Sequence, residues 1–406
     1  MIIETHTLSN GLRVIHRPFP SEISYCGIAV NAGTRDEYPD EYGMAHFVEH
    51  MLFKGTKGRK AHHISNRMES VGGELNAYTT KEETFIYATF LKEYFPRAVE
   101  LLSDIVLHSE FAPQQIERER EVILDEISSY RDFPSEQIYD DFENLVFHGH
   151  DIGHYILGEP ETLNGFTTAS LHRFLHRQYR PSEMVFFSFG KTPFSKVIRQ
   201  LESHFTFPTA PVIPLKERKA PDILVPVDVE MQKNTNQAHV MLGWNAFSMH
   251  HPDKYALYLL NNILGGGNLN SRFNASLREK NGLVYHVESG ATLYTDTGLF
   301  TVYFACDPKY KERCIRLIGK EIEKVMKKKL TPMQLAKAKR QWKGQLGIAA
   351  ENNENNALGM AKSFLHQKRF VPLDEVFARI DQISSEKINE VANDIFSTSR
   401  FQLSYV

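Results

Sequence analysis

The stretch Gly43-Met44-Ala45-His46-Phe47-Val48-Glu49-His50-Met51-Leu52-Phe53-Lys54-Gly55-Thr56 decides how the rest of this chain is read. Spacings of three and four residues stack side chains one helical turn apart, so His46, Glu49 and His50 share one face. Met44, Ala45, Phe47, Val48, Met51, Leu52 and Phe53 make the same segment apolar nearly all round, which predicts a buried helix. Burying two imidazoles and a carboxylate costs on the order of 2 to 7 kcal/mol per unpaired polar group. A metal ion held between them offsets that cost.

His-x-x-Glu-His is the inverted form of the zincin motif. Two His at i and i+4 hold zinc through neutral imidazole nitrogens, while the Glu before the second His faces a coordinated water as general base. In a chain with 18 His the pattern needs a third ligand beside it. The segment Glu117 to Tyr130 offers one: Glu119, Val122, Ile123, Glu126, Ile127 and Tyr130 fall within about 140° of arc at helical spacing. Glu119 and Glu126 are two turns apart on that face, and either is within reach of a metal held by the first helix. An amphipathic helix whose Glu side chains curl out to solvent is the plain alternative.

These residues carry a resemblance to the pitrilysin-type metallopeptidases, in particular the short two-domain branch that includes the mitochondrial processing peptidase and bacterial homologues. In that family the distal zinc ligand follows the second His by 76 positions, and 126 − 50 = 76 picks out Glu126. The resemblance implies that His46, His50 and Glu126 bind one Zn2+ per chain and that Glu49 is the base. Glu119, seven residues before the ligand, would support a ligand His. It runs essentially from Gly11 to the C-terminus. The fold it implies is α+β, with two homologous domains, each a mainly antiparallel β-sheet with helices packed on one side.

At 406 residues the chain exceeds one ordinary core and divides into two domains of about 200 residues. The expected division is a metal-binding domain over 1–208, a Pro-rich linker over 209–226 and a second domain over 227–406. With 42% hydrophobic and 24% charged residues, and a net charge of −3, nothing points to nucleic acid or an anionic membrane as partner. Cys26, Cys306 and Cys314 have no CxxC spacing and read as free thiols. The start of the chain lacks a signal-like apolar region and no run of 18 apolar residues occurs, so a cytoplasmic location is expected.

Along the first half, Leu8 to Ile15 reads as strand, Asn-Gly turn and strand, and Tyr25 to Ala32 as the next strand. Ala61 to Val71 is a helix closed by Gly72-Gly73. Glu74 to Thr80 and Glu83 to Phe90 are strands by their β-branched and aromatic content. By resemblance the first of these is an exposed edge beside the metal, where Asn76 and Ala77 pair with substrate backbone and Phe53 lies against the substrate. His148, His150 and His154 sit in a Gly-rich segment that reads as a loop. Glu136, Asp140 and Asp141 read as a solvated acidic face, or as acids that favour a basic residue near the cut.

The second half repeats the first. Gln237 to Trp244 takes the place of Tyr25 to Ala32, and Tyr255 to Gly267 takes the place of the metal helix. At an offset of 211, Leu257, Leu260 and Asn261 stand where His46, Glu49 and His50 stand in the first half. The second half instead supplies Arg278 and Tyr285, seven residues apart, as are the Arg and Tyr that the family sends into its active site. The resemblance implies that Tyr285 bonds the developing oxyanion and Arg278 holds substrate carbonyls. A surface ion pair and a core Tyr are the alternative. The loop Gly265-Gly266-Gly267-Asn268 lacks the Gly-Lys-Ser/Thr of a phosphate loop, and relatives use an analogous loop to admit substrate.

The expectation is therefore a zinc endopeptidase acting on extended or unfolded peptides, as a homodimer or with a different partner chain. A non-catalytic partner subunit is the rival, and intact His46, Glu49, His50 and Glu126 weigh against it.

Overall fold

The computed structural model describes residues 2–207, 213–222, 224–233 and 235–406. These form two compact units. The first comprises the chain up to Ser128, His154–Arg218 and Ala350–Val371; the second comprises Ser129–Gly153, Lys219–Ala349 and Pro372–Val406. The linker expected over 209–226 lies partly outside the described residues. Within it, Arg218 is held in the first unit, donating to Asp36 at 2.9 and 2.7 Å.

In chain order the elements begin with β1 (Glu4–Thr7), β2 (Arg13–Pro18), β3 (Ile23–Val30), α1 (Met44–Leu52), β4 (Gly55–Thr56), β5 (Arg59–Lys60) and α2 (Ala61–Glu69). Then come β6 (Glu74–Thr79), β7 (Thr84–Leu91), α3 (Phe95–Leu107), α4 (Pro113–Arg131), α5 (Pro134–Val146), α6 (Pro160–Leu163) and α7 (Thr168–Gln178). They continue with β8 (Met184–Gly190), α8 (Phe194–His204), β9 (Asp228–Met231), β10 (Ala238–Ala246), α9 (Lys254–Leu264), β11 (Val284–Leu293) and β12 (Gly298–Cys306). The last are α10 (Lys311–Lys327), α11 (Pro332–Ala349), α12 (Asn353–Gln367), α13 (Leu373–Gln382), α14 (Ser385–Phe396) and β13 (Phe401–Tyr405).

The strand order is β1-β2-β8-β3-β7-β6 in the first unit and β11-β12-β10-β13-β9 in the second. All neighbours are antiparallel except β2 with β8 and β9 with β13. Reversed, and leaving out the outer β1, the first order matches the second, with β6, β7, β3, β8 and β2 in the places of β11, β12, β10, β13 and β9. The parallel pair falls at the same step in both. The duplication read from the sequence is thus a duplication of topology, and the fold is α+β.

Each sheet carries a helical layer on one face, as expected, and one further helix on the other. In the first unit Cys26, Ile28, Val30, Ile86 and Phe186 face the core shared with α1, α3 and α7. The alternate residues Ala29, Phe85, Val185 and Phe187 face Ala357, Met360, Ala361 and Leu365 of α12. With both faces covered, β3 and β8 are apolar runs rather than alternating strands. In the second unit α5 takes the matching role, setting Ile138, Phe142 and Val146 against Met241, Leu403 and Tyr405. The compact units therefore differ from the contiguous halves read from the sequence, because α5 and α12 each bury their apolar stripe outside their own half. Asp141 is not on a solvated face: it is buried and accepts from the Tyr405 hydroxyl at 2.6 Å.

Cys26, Cys306 and Cys314 are free and buried. Among the described residues no helix is long and apolar enough to cross a membrane.

Helix α12 is fastened by charge as well as by packing. Glu83 is buried and accepts from His366 Nε2 at 3.0 Å and from the Lys362 ammonium. Burial pushes its carboxyl upward, yet His366 and Lys362 outweigh burial and hold it at about 2. A carboxyl whose folded value lies below its ordinary 4.5 stabilises the fold above pH 4.5, and that contribution disappears as pH falls toward 2. Its full size is roughly 3 kcal/mol. Acidifying the wild type from pH 6 to 3 should therefore lower its urea midpoint more than that of Glu83→Gln; equal slopes would contradict the assignment.

Candidate metal centre

The metal helix α1 is nine residues long and needs support to persist. Its first turn is capped by a side chain from the preceding loop. Glu37, fully buried, accepts the backbone N–H of Gly43 at 2.9 Å and of Ala45 at 2.7 Å. His154 Nε2 lies 3.0 Å from the same carboxylate, and its ring stacks on Tyr42 with centroids 3.9 Å apart. Burial raises the Glu37 carboxyl well above its ordinary value despite the two backbone bonds. The cap holds Gly43 at φ 93°, where a Cβ would stand 2.7 Å from the Cα of Gly158. Only glycine suits that position.

Ala45, Phe47, Val48, Met51 and Leu52 anchor the helix in the core, leaving His46, Glu49 and His50 on the remaining face. Helix α4 presents Glu119 and Glu126 toward it. One ligand atom from each of His46, His50 and Glu126 lies within 4.8 Å of the other two. The Glu126 Oε2 atom is 3.9 Å from His46 Nε2 and 3.8 Å from His50 Nε2. These separations are too long for hydrogen bonds, but two donors about 2.1 Å from one zinc ion stand up to about 4.2 Å apart. The residues fit a zinc ion. Burial, assisted by the charge of His50, lowers His46 to about 3, so its imidazole is neutral at physiological pH, as a ligand must be. Glu126 is half-exposed, which leaves that side of the cluster open.

Glu119 takes a different place. Its carboxylate is buried, 3.3 Å from His50 Nδ1 and 2.8 Å from Lys54 Nζ. Burial acts to raise its pKa, but His50 and Lys54 together hold it below the ordinary value. An ionised Glu119 keeps the proton of His50 on Nδ1 and turns Nε2 toward Glu126. The spacing left both glutamates open; the geometry separates their positions.

Glu49 lies beside the cluster, mostly buried, and burial raises its pKa. The Thr79 hydroxyl at the end of β6 donates to its Oε2 at 2.5 Å. Strand β6 is the edge of its sheet: Asn76 and Ala77 register with Tyr87 and Ile86 of β7, and the other side of the strand has no partner strand among the described residues. Phe53 ends α1 as its C-cap and packs partly buried against the core.

In the second unit, Leu257 and Leu260 of α9 are buried in the core and Asn261 Oδ1 accepts from Ser289 at 2.6 Å, so the matching helix carries no ligand set. Arg278 lies in a π-helical turn and its guanidinium sits 5.3 Å from the Tyr285 ring centroid. Tyr285 is 82% exposed, at a register shift between Val284 and Val287. Tyr285 is therefore not the core Tyr of the alternative reading, whereas Arg278 does stand in a surface ion pair, its Nε 3.8 Å from Glu279 Oε1. Bulges of this kind re-aim side chains away from the ladder.

Glu37, His154 and Thr79 escaped the sequence reading. Helical spacing finds partners one turn apart; Thr79 and His154 are brought to this region only by the tertiary fold, and Glu37 acts from an irregular loop before α1. His154 was recognisable only as part of a Gly-rich loop.

The chain matches the model of Insulinase (Peptidase family M16) over residues 13–158 and that of the Peptidase M16 inactive domain over 165–342. It is similar to an uncharacterized zinc protease of Bacillus subtilis, 30% identical across 98% of this chain and 96% of the relative. A second, from Streptomyces coelicolor, is 33% identical across 96% and 86%. The fold is similar to the crystal structure of a protease from Helicobacter pylori, with a TM-score of 0.90 at 22% identity, covering 100% of this chain and 99% of that one.

If Glu119 orients His50 and Glu126 is the ligand, Glu119→Gln should weaken zinc binding by about 10- to 100-fold, and Glu126→Ala should weaken it further. Competition against a chromophoric chelator measures both. The reverse order would exchange their roles.

Proposed function

Because the chain belongs to the insulinase-type peptidase family M16, we propose that it is a zinc-dependent endopeptidase that cleaves extended or unfolded peptides. The observation that carries this reading is the convergence of His46, His50 and Glu126 beside a buried, more basic Glu49. Zinc held by those three side chains supplies a Lewis acid that lowers the pKa of a water to about 7.

Glu49 is the residue that would take a proton from that water. Its Oε2 is occupied by Thr79, and Oε1 has no hydrogen bond to the described residues, so one oxygen positions the carboxylate and the other works. The raised pKa from burial makes Glu49 a better proton acceptor than an exposed carboxylate and lets it pass the proton on to the leaving amine. Substrate backbone adds to the open edge of β6 through Asn76 and Ala77, with Phe53 against a side chain, a mode that grips extended peptides with little regard to sequence. Tyr285, with its hydroxyl exposed, donates to the developing oxyanion, and Arg278 holds substrate carbonyls.

The family's closed chamber, of which one such domain pair makes half, supports a homodimer; light scattering should give about twice the chain mass of 46.7 kDa. A monomeric mass would remove that assignment.

Incubation with a mixed peptide library, read by mass spectrometry, tests the activity. Wild type should cleave, and Glu49→Gln should keep about one zinc per chain while losing roughly 100- to 10,000-fold in rate. Wild type that binds zinc and cleaves nothing would turn the reading toward a partner subunit.

A further inference from the structure

Away from the metal cluster, the second unit holds a cavity of about 170 Å³ between α9, the loop that follows it, and α11. Its lining includes Arg272, Lys337, Asn262, Asn270, Gln334 and Gln341, and no carboxylate. Arg272 is half-buried and Lys337 exposed, and neither has a hydrogen bond or ion pair among the described residues. Burial pulls the Arg272 guanidinium below its ordinary pKa. The acid whose charge opposes this, Glu321, is itself bonded to Lys324 at 2.6 Å. The Arg272 guanidinium, partly shielded from water, has no acceptor among the described residues, and an anion in the cavity would supply one.

The amides around it are arranged to donate. Asn270 and Gln341 bond each other in both directions at 3.2 Å, and Asn262 donates to Gln345 at 2.5 Å, which fixes the walls. Each amide nitrogen carries two hydrogens, so each of these keeps one N–H to spare, and Gln334 keeps both of its own. A cavity of about 150 Å³ holds a single benzene, so the inner part of this one suits five to eight heavy atoms.

We propose that this cavity is a binding site for a small oxyanion, a phosphate or a short dicarboxylate, held by Arg272 and Lys337 with the side-chain amides as further donors. Arg272 supplies two parallel N–H groups to the oxyanion, and Lys337 a point charge at the mouth. The site is separate in its residues from the metal cluster, and its existence does not depend on the proposed activity.

Isothermal titration of the zinc-loaded full chain with inorganic phosphate, and separately with succinate, at ionic strength matched with chloride, tests this. Saturable binding of about one anion per chain is expected, with a Kd on the order of 0.1 to 10 mM for at least one of the two. Arg272→Gln should raise that Kd at least about tenfold and Lys337→Gln about threefold. Lys337 is exposed on α11, so its variant decides the matter even if Arg272→Gln fails to fold. No saturable binding of either anion by wild type, or an affinity unchanged in Lys337→Gln, would overturn the proposal.

Discussion

Two imidazoles on a helix of nine residues must be held still enough for a carboxylate on another helix to complete their set, and the first unit is arranged around that constraint. A helix so short is marginal by itself. Here its N-terminus is satisfied by the buried Glu37, its entry is fixed by Gly43 lying against Gly158, and its apolar faces are sunk in the core. Glu119 orients one imidazole from behind and Thr79 restrains the neighbouring Glu49. Preorganisation of this kind lets donor atoms stand 3.8 to 3.9 Å apart without collapsing into hydrogen bonds with one another.

The duplicated topology explains how one scaffold carries a polar cluster on its first helix in one copy and lacks it in the other. The strands of the two sheets correspond step by step, down to the position of the single parallel pair. What differs is the face of one helix: His46, Glu49 and His50 in α1, and Leu257, Leu260 and Asn261 in α9. Leucines in two of the three places turn most of a polar cluster into core, which stabilises the fold. Even so, the second unit retains polar features of its own in the bulged strand that carries Tyr285 and the cationic cavity behind the glycine loop.

Much of this was legible in the sequence, and the limits have physical causes. The HxxEH face and the second glutamate-bearing helix rest on periodicity, which survives in a linear string, whereas the edge position of the strand through Asn76 came from the resemblance. The choice between Glu119 and Glu126 did not follow from periodicity, since both lie on one stripe; it came from the resemblance, and the coordinates then gave the two carboxylates different neighbours. The His154 contact and the Thr79 bond join residues 117 and 30 positions apart, and the Glu37 cap reaches back across an irregular loop of six to eight residues. No local spacing encodes them. The packing of α5 and α12 outside their own halves was hidden for the same reason: an amphipathic stripe states that a helix buries one face, but not against which sheet.

Anomalous diffraction at the zinc edge, from crystals grown with the metal, tests the central claim most directly. The account predicts one strong peak per chain, about 2.1 Å from His46 Nε2, His50 Nε2 and a Glu126 oxygen, with Glu119 on His50 Nδ1 and off the metal. A peak bound by Glu119 in place of Glu126, or none at His46 and His50, would contradict it.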